Sequence, residues 1–293
     1  MSFPESWQPE RTAGVGSFIS RIDYRLPDGL LYTWTSRRHR KGFALQRSVP
    51  AGTAGTHRRH RPRLWVWAPR RIGWWIALSF MVGAACFAVA SFAGLSPGNF
   101  GRLGSDATLT NSVFFAGSIF FTAAAYLQLL ETINADRRAA IARSEAPQEK
   151  FRWFAWQPDR IGWLSAAIQL LGTILFNLNT LDALLPRLNW LQQDLLIWTP
   201  DMIGSVCFLV ASWLAVLEFC HSYWSWKIED LSWWIVVINL LGSVAFMVSA
   251  MYAVAGPDPA TALDLWVVNL STMIGALCFF LAAYLLVPEI ALG

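Results

Sequence analysis

Charge is scarce in this chain of 293 residues: 14% of them are charged against 55% apolar, and the mean hydropathy is +0.39. That balance exceeds soluble norms and puts the chain in the membrane class. Histidine is scarcer still, with His39, His57 and His60 in a basic N-terminal stretch and His221 apart from them. No Ser/His/Asp or HExxH constellation can be drawn, and "GTAGT" at 52–56 lacks the lysine of a phosphate cradle. Cysteine is limited to Cys86, Cys207, Cys220 and Cys278, all in or at the end of apolar runs and without CxxC spacing. A thiolate metal centre and a disulfide scaffold are therefore not expected, and the thiols read as small apolar residues. Acids near the connections at 96–108, 183–199 and 256–266 are scattered (Asp106, Asp182, Asp194, Asp258, Asp264), which disfavours metal-dependent lipid chemistry. No cofactor is expected, and an enzyme of membrane lipids is the least favoured class.

The first 60 residues lack a continuous apolar core, so no cleavable signal peptide is expected and the first spanning helix directs insertion. "SRRHRK" at 36–41 contains a twin arginine, but no apolar segment follows at export-signal distance.

What the chain does have is six apolar runs, about 72–95, 109–131, 161–185, 200–220, 231–255 and 267–288, each long enough to cross a hydrocarbon core of roughly 30 Å. The expected fold class is an all-α membrane protein of six transmembrane helices. Lysine and arginine number 23, and all but Arg102 and Arg187 fall before the first run or in the 132–160 and 221–230 connections. By the positive-inside bias both termini face the cytoplasm.

The runs repeat. "WAPRRIGWWIALSFMVGAACF" (67–87), "WQPDRIGWLSAAIQLLGTILF" (156–176) and "WKIEDLSWWIVVINLLGSVAF" (226–246) align without gaps at Trp67/Trp156/Trp226, Trp74/Trp163/Trp233, Gly83/Gly172/Gly242 and Phe87/Phe176/Phe246. The even-numbered runs align at Gly117/Gly204/Gly275, Phe121/Phe208/Phe279, Ala124/Ala211/Ala282 and Glu131/Glu218/Glu289. The unit is a helical hairpin written three times in one orientation, about 67–131, 156–218 and 226–289, set either around a pseudo-threefold axis or in a row.

At about 100° per residue Gly117, Phe121, Ala124 and Glu131 share a face, with Tyr126 on the far side. Small residues on that face let helix backbones approach. Trp74 lies nearly opposite Gly83 and Phe87, near the interface, and the 17 tryptophans read as an aromatic belt.

Each repeat closes on a glutamate, unfavourably placed at the negative end of a helix dipole. The start of a neighbouring odd-numbered helix, with its orphan N–H groups, would compensate it. Arg71 and Arg160 offer charge pairs in two copies, and the third has Asp230 instead. Three readings follow: a structural clamp, which is favoured, a ring for cation or proton passage, and a partner-docking site. The intramembrane polar set is Gln169, Asn177, Asn179 and Asn239, with Asn111 and Asn269 near the other face. Phe80 stands where Gln169 and Asn239 would require a third amide, which breaks a ring of three.

Residues 1–66 form a basic cytoplasmic arm, with a β-hairpin about "PDG" at 19–36 and a flexible linker at 47–63. Its cations Arg37, Arg38, Arg40, Lys41, Arg58 and Arg59 are expected to contact anionic lipid headgroups at about 1 kcal/mol each. Nucleic acid is disfavoured, since no folded recognition motif accompanies the charge. The expected partners are the bilayer and a membrane-protein partner or a second copy.

The hairpin with "IGSVCF", "NLLGSVAF" and a terminal glutamate resembles the two-span YrhK-like domain of bacterial membrane proteins. The resemblance covers each hairpin, about 50 to 60 residues, and not the arm. It implies a bacterial inner-membrane protein and supplies no catalytic residues. The chain departs from the family in carrying three copies, and its first even-numbered run lacks the Ile before Gly117. The leading expectation is a non-enzymatic membrane protein of structural or regulatory type. The alternative is a small-solute, proton or cation conduit through the bundle.

Overall fold

The computed structural model describes residues 7–27, 29–43, 45–48, 66–142, 150–257 and 260–292. The chain opens with an antiparallel meander, β1 (Gln8–Val15), β2 (Phe18–Arg25) and β3 (Leu31–Thr35), to which the three-residue β4 (Gln46–Ser48) adds an edge. β2 and β3 are the expected hairpin, with Ile22 opposite Trp34 and Tyr24 opposite Tyr32. Between β3 and β4 sits one short helix, α1 (Ser36–Arg40). Residues 49–63 of the expected linker lie outside the described residues.

The rest is helical: α2 (Ile72–Leu95), α3 (Arg102–Ser105), α4 (Ala107–Ile133), α5 (Ala135–Ala142), α6 (Ile161–Asp182), α7 (Trp190–Gln193), α8 (Thr199–Cys220), α9 (Leu231–Tyr252) and α10 (Ala262–Leu292). Six of these helices, α2, α4, α6, α8, α9 and α10, are long and apolar enough to cross a membrane, α8 with α7 and a π-helical turn as one run. Each of the six packs on the next in the chain, and α10 returns against α2, so they close a ring.

The seams of the ring are set by glycine. A Cβ on Gly83 would come within 2.9 Å of the Gly117 carbonyl oxygen, one on Gly172 within 3.1 Å of that of Gly204, and one on Gly242 within 3.1 Å of that of Gly275. In lipid the tails are as apolar as leucine, so association rests on this close approach and on hydrogen bonds between helices. Such bonds join α4 to α6 (Ser118 and Thr180, 3.0 Å), α8 to α9 (Ser212 and Ser243, 2.6 Å) and α9 to α10 (Ser249 and Thr272, 2.7 Å).

One turn past each seam a phenylalanine points inward. Phe87, Phe121, Phe176, Phe208, Phe246 and Phe279 form one cluster, with neighbouring ring centroids 5.0 to 6.5 Å apart. These edge and offset contacts fill the middle of the ring with aromatic rings.

The six repeat-aligned tryptophans divide into two sets. Trp67, Trp156 and Trp226 are exposed, as a belt requires. Trp74, Trp163 and Trp233, expected near the interface on the outer side, are instead buried beneath them. The preceding connection folds back over the helix start, so the Trp163 and Trp233 indole N–H groups donate to the carbonyls of Ala155 and Ser225, each at 2.9 Å. A buried indole usually finds such an acceptor, though the Trp74 N–H has none among the described residues, and helical periodicity does not register one supplied from outside the helix.

Candidate functional site: the carboxylate cluster and its cavity

Glu131, Glu218 and Glu289 end α4, α8 and α10 on the side of the ring that carries the sheet, and all three are buried, Glu218 completely. Glu131 lies at the start of α2, Glu218 at the start of α6 and Glu289 at the start of α9. A Cβ on Gly73 would lie 3.6 Å from Glu131 Oε1 and one on Gly162 would lie 2.8 Å from Glu218 Oε1, while Ser232 Oγ donates to Glu289 Oε1 at 2.6 Å. That much matches the expected helix-start contact. The charged partners are different from those expected.

The compensating charge comes from α1. Thr35 caps it, its hydroxyl accepting from the Arg38 N–H, and Ser36, Arg37, Arg40 and Lys41 follow at the spacing that puts side chains on one helical face. Arg40 Nη2 donates to Glu218 Oε2 at 3.0 Å, and its Nη1 reaches Glu131 Oε2 at 3.5 Å. Ser36 Oγ donates to Glu218 Oε1 at 2.7 Å. Arg37 Nη2 donates to Glu289 Oε1 at 3.0 Å, and Lys41 Nζ meets the other oxygen of the same carboxylate. From α5, Arg138 donates to Glu131 Oε1 at 3.2 Å and to the backbone carbonyl of Lys41 at 3.3 Å, which clasps the end of α1.

Three cations assigned from sequence to lipid therefore lie elsewhere: Arg37 and Arg40 are buried and Lys41 is nearly so, each on a carboxylate. A guanidinium can bond two carboxylate oxygens at once, which a hydrated headgroup region does not hold fixed. Arg38 lies over the Phe43 ring at 5.6 Å, and Arg58 and Arg59 lie outside the described residues. Arg160, expected as a glutamate partner, bonds Asp136 at 2.7 Å, and Asp136 also meets His39 Nε2 at 2.8 Å. Asp230 caps α9 by accepting from the Ser232 N–H at 2.8 Å.

The electrostatics follow from this packing. Burial pulls Lys41 down to about 8, against the opposing pull of Glu289. Burial also acts against charge on Arg40, yet Glu218 and Glu131 together raise it above its ordinary value. The hydrogen bond with His39, assisted by Arg160, holds Asp136 well below the usual carboxylate range.

A second tie joins the sheet to the ring. Ser20 Oγ lies 2.9 Å from His221 Nδ1, at the C-cap of α8, where His221 has a left-handed φ of 58°. Burial, with Lys227 and Arg21 nearby, pushes His221 down to about 4 from 6.5. The unfolded chain thus binds more protons between those values, so stability falls as pH drops through that window, by up to about 3 kcal/mol. His221→Asn tolerates the backbone conformation and removes the titration. The melting temperature of the variant should be flatter between pH 6.5 and 4 than that of the wild type. Parallel curves would show that His221 is not the titrating group.

Gly162 offers a local check. Its missing Cβ faces a carboxylate pinned by Arg40 and Ser36, so Gly162→Ala should displace the ion pair and cost about 1–3 kcal/mol. Gly73→Ala, with 3.6 Å of room, should be neutral in the same thermal unfolding assay. Equal effects at the two positions would contradict the geometry.

Beneath α1 lies a cavity of about 90 Å³ to which all six spanning helices contribute. Its rim carries Arg37, Arg40, Lys41, Arg71, Arg138 and Glu131. Gln128, Gln169 and Asn239 line it farther in, and Phe80 and Phe279 are its deepest residues along α2 and α10. Gln128 Nε2 donates to Gln169 Oε1 at 3.2 Å, and Asn239 Nδ2 donates to Ser212 Oγ at 2.8 Å. Of the polar residues predicted from sequence, Gln169, Asn239 and Glu131 are thus brought together. The others bond elsewhere: Asn177 to Thr122, Asn179 to Asp201 and Asn111 to the Ala183 carbonyl tie neighbouring helices, and Asn269 bonds the Leu265 carbonyl of its own helix. Among the described residues no group of three His, Cys, Asp or Glu could hold a metal ion.

Sequence reasoning missed Ser36, Arg138, Ser232 and the role of Arg37, Arg40 and Lys41. Their signal was present: an i, i+3, i+4 set of donors in a chain whose spans end on three carboxylates and hold no lysine or arginine. Comparison of the chain with protein-family models, with curated proteins and with solved structures finds no match in any of the three.

Proposed function

We propose that this is an integral membrane protein of structural or regulatory type, in which the N-terminal arm latches the end of a six-helix ring. The observation that carries this reading is the direct bonding of all three terminal glutamates to α1 cations, Glu131 and Glu218 through Arg40 and Glu289 through Arg37 and Lys41. Buried ion pairs add little net stability, but they fix one arrangement, because a misplaced partner leaves a buried charge unpaired. The glutamates are thereby occupied as clamps. The alternative of a proton or cation conduit meets two obstacles, a cationic rim and the six-phenylalanine cluster between the cavity and the far end of the ring.

In this reading the ring lies in a bacterial inner membrane with both termini in the cytoplasm, and the hairpins are YrhK-like. The charge bias and the residue pattern support both parts. Contact with anionic lipid falls to the remaining basic residues of the arm, Arg58 and Arg59 among them.

The test compares wild type with the triple change of Glu131, Glu218 and Glu289 to Gln, by thermal unfolding in detergent and by proton and cation flux in liposomes. The latch predicts a much less stable variant and no flux through the wild type. Flux through the wild type would overturn it, whether or not the variant folds.

A further inference from the structure

We propose that the cavity beneath α1 binds a short-chain monocarboxylate, its carboxylate among Arg37, Lys41 and Arg71 and its alkyl end toward Phe80 and Phe279. Charge is the first argument. Four cations, Arg37, Arg40, Lys41 and Arg138, are bonded to three carboxylates, and Arg71 adds a fifth on the rim. Among the described residues the only acid on the lining, Glu131, is already held by Arg40 and Arg138. A partly buried excess of positive charge is costly without a counter-charge, and a bound anion supplies one.

Shape and polarity narrow the anion. From Arg71 to Phe80 along α2 the lining descends about 13 Å. Over that depth the wall becomes mostly apolar, with Ile76, Phe80, Ile235, Val236 and Leu286, and its three amides, Gln128, Gln169 and Asn239, are engaged with one another or with Ser212. Phosphate or sulfate would leave oxygens facing these walls without partners, at a cost of several kcal/mol per group. A carboxylate with an alkyl tail puts its charge at the cationic rim and its carbons against the apolar side chains below it. An engineered cavity of about 150 Å³ takes benzene, so this one holds roughly four heavy atoms, those of acetate or the alkyl part of butyrate with its carboxylate at the rim. The phenylalanine cluster closes the inner end, which makes the cavity a binding site and not a passage.

The site needs only the cavity and its rim, so it is tested without altering the glutamates. Purified full-length protein in neutral detergent is titrated calorimetrically with sodium acetate, propionate, butyrate, hexanoate and octanoate, against sodium chloride at equal ionic strength. Saturable binding is expected for the short members, with a maximum at propionate or butyrate and a loss by octanoate. Melting temperature should rise by roughly 3 °C at tenfold excess over Kd. Arg71→Gln removes an exposed side chain and should weaken binding about tenfold. Ala283→Leu fills the cavity and should abolish it. Equal effects of chloride and propionate would overturn the proposal. So would affinity that climbs steadily to octanoate, the mark of partition into the micelle. If Ala283→Leu does not fold, the chain-length series on the wild type and the Arg71→Gln titration decide the matter.

Discussion

Replacing Arg40 with methionine is expected to cost about 3–5 kcal/mol, because it strips two buried carboxylates of a shared partner. Arg40 touches Glu218 through two nitrogens and Glu131 through a third. Glu131 keeps Arg138, whereas Glu218 keeps the Ser36 hydroxyl, a neutral donor, so Glu218 bears most of the loss. In a chain of this length that is a fall of roughly 10 °C in melting temperature, readable from tryptophan fluorescence in detergent. The same change made together with Glu218→Gln should recover much of the loss, because a neutral amide can stay buried on the Ser36 hydroxyl. Such non-additivity, measured as a double-mutant cycle, separates a clamp from a position that merely dislikes truncation. An Arg40→Met protein that melts within about 2 °C of wild type would mean that the guanidinium does not hold the arm.

The six spans were legible because their signals are local, whereas the choice between a ring and a row was not. The span expected at 72–95 is Ile72–Leu95, and that expected at 231–255 is Leu231–Tyr252, since length and hydropathy alone mark where a helix must leave the bilayer. The glycine positions were legible for a related reason: Gly83 and Gly117 stand in adjacent helices of one hairpin, and a small residue in a membrane span most often marks a close helix contact. The latch was not. Arg37 and Glu289 are 252 residues apart, and Arg40 and Glu218 are 178 apart. Nothing local distinguishes a run of cations that will be buried on carboxylates from one that will remain solvated. Local rules assign such a run to lipid because lipid is the nearest anion. They also placed Trp74 outward, because the connection that covers it lies outside its own helix and leaves no trace in that helix's periodicity.

Phe279→Ala is the second change expected to have a large effect, and it acts on the ring and the cavity at once. The Phe279 side chain is buried against Phe121, Phe208 and Phe246 and also lines the inner part of the cavity. Truncating such a ring costs about 3–5 kcal/mol through lost contacts and the space left behind. That space is continuous with the cavity, so the variant should accept a carboxylate longer by about two carbons than the best one for wild type. The two readouts are independent. Thermal unfolding reports the cluster, and the chain-length optimum reports which end of the ligand lies inward. An optimum that stays unchanged in a folded Phe279→Ala protein would mean that the alkyl end does not reach the cluster. Flux should remain absent, because Phe87, Phe121, Phe176, Phe208 and Phe246 still fill the ring beyond it. Opening a path would require removing rings from several helices together.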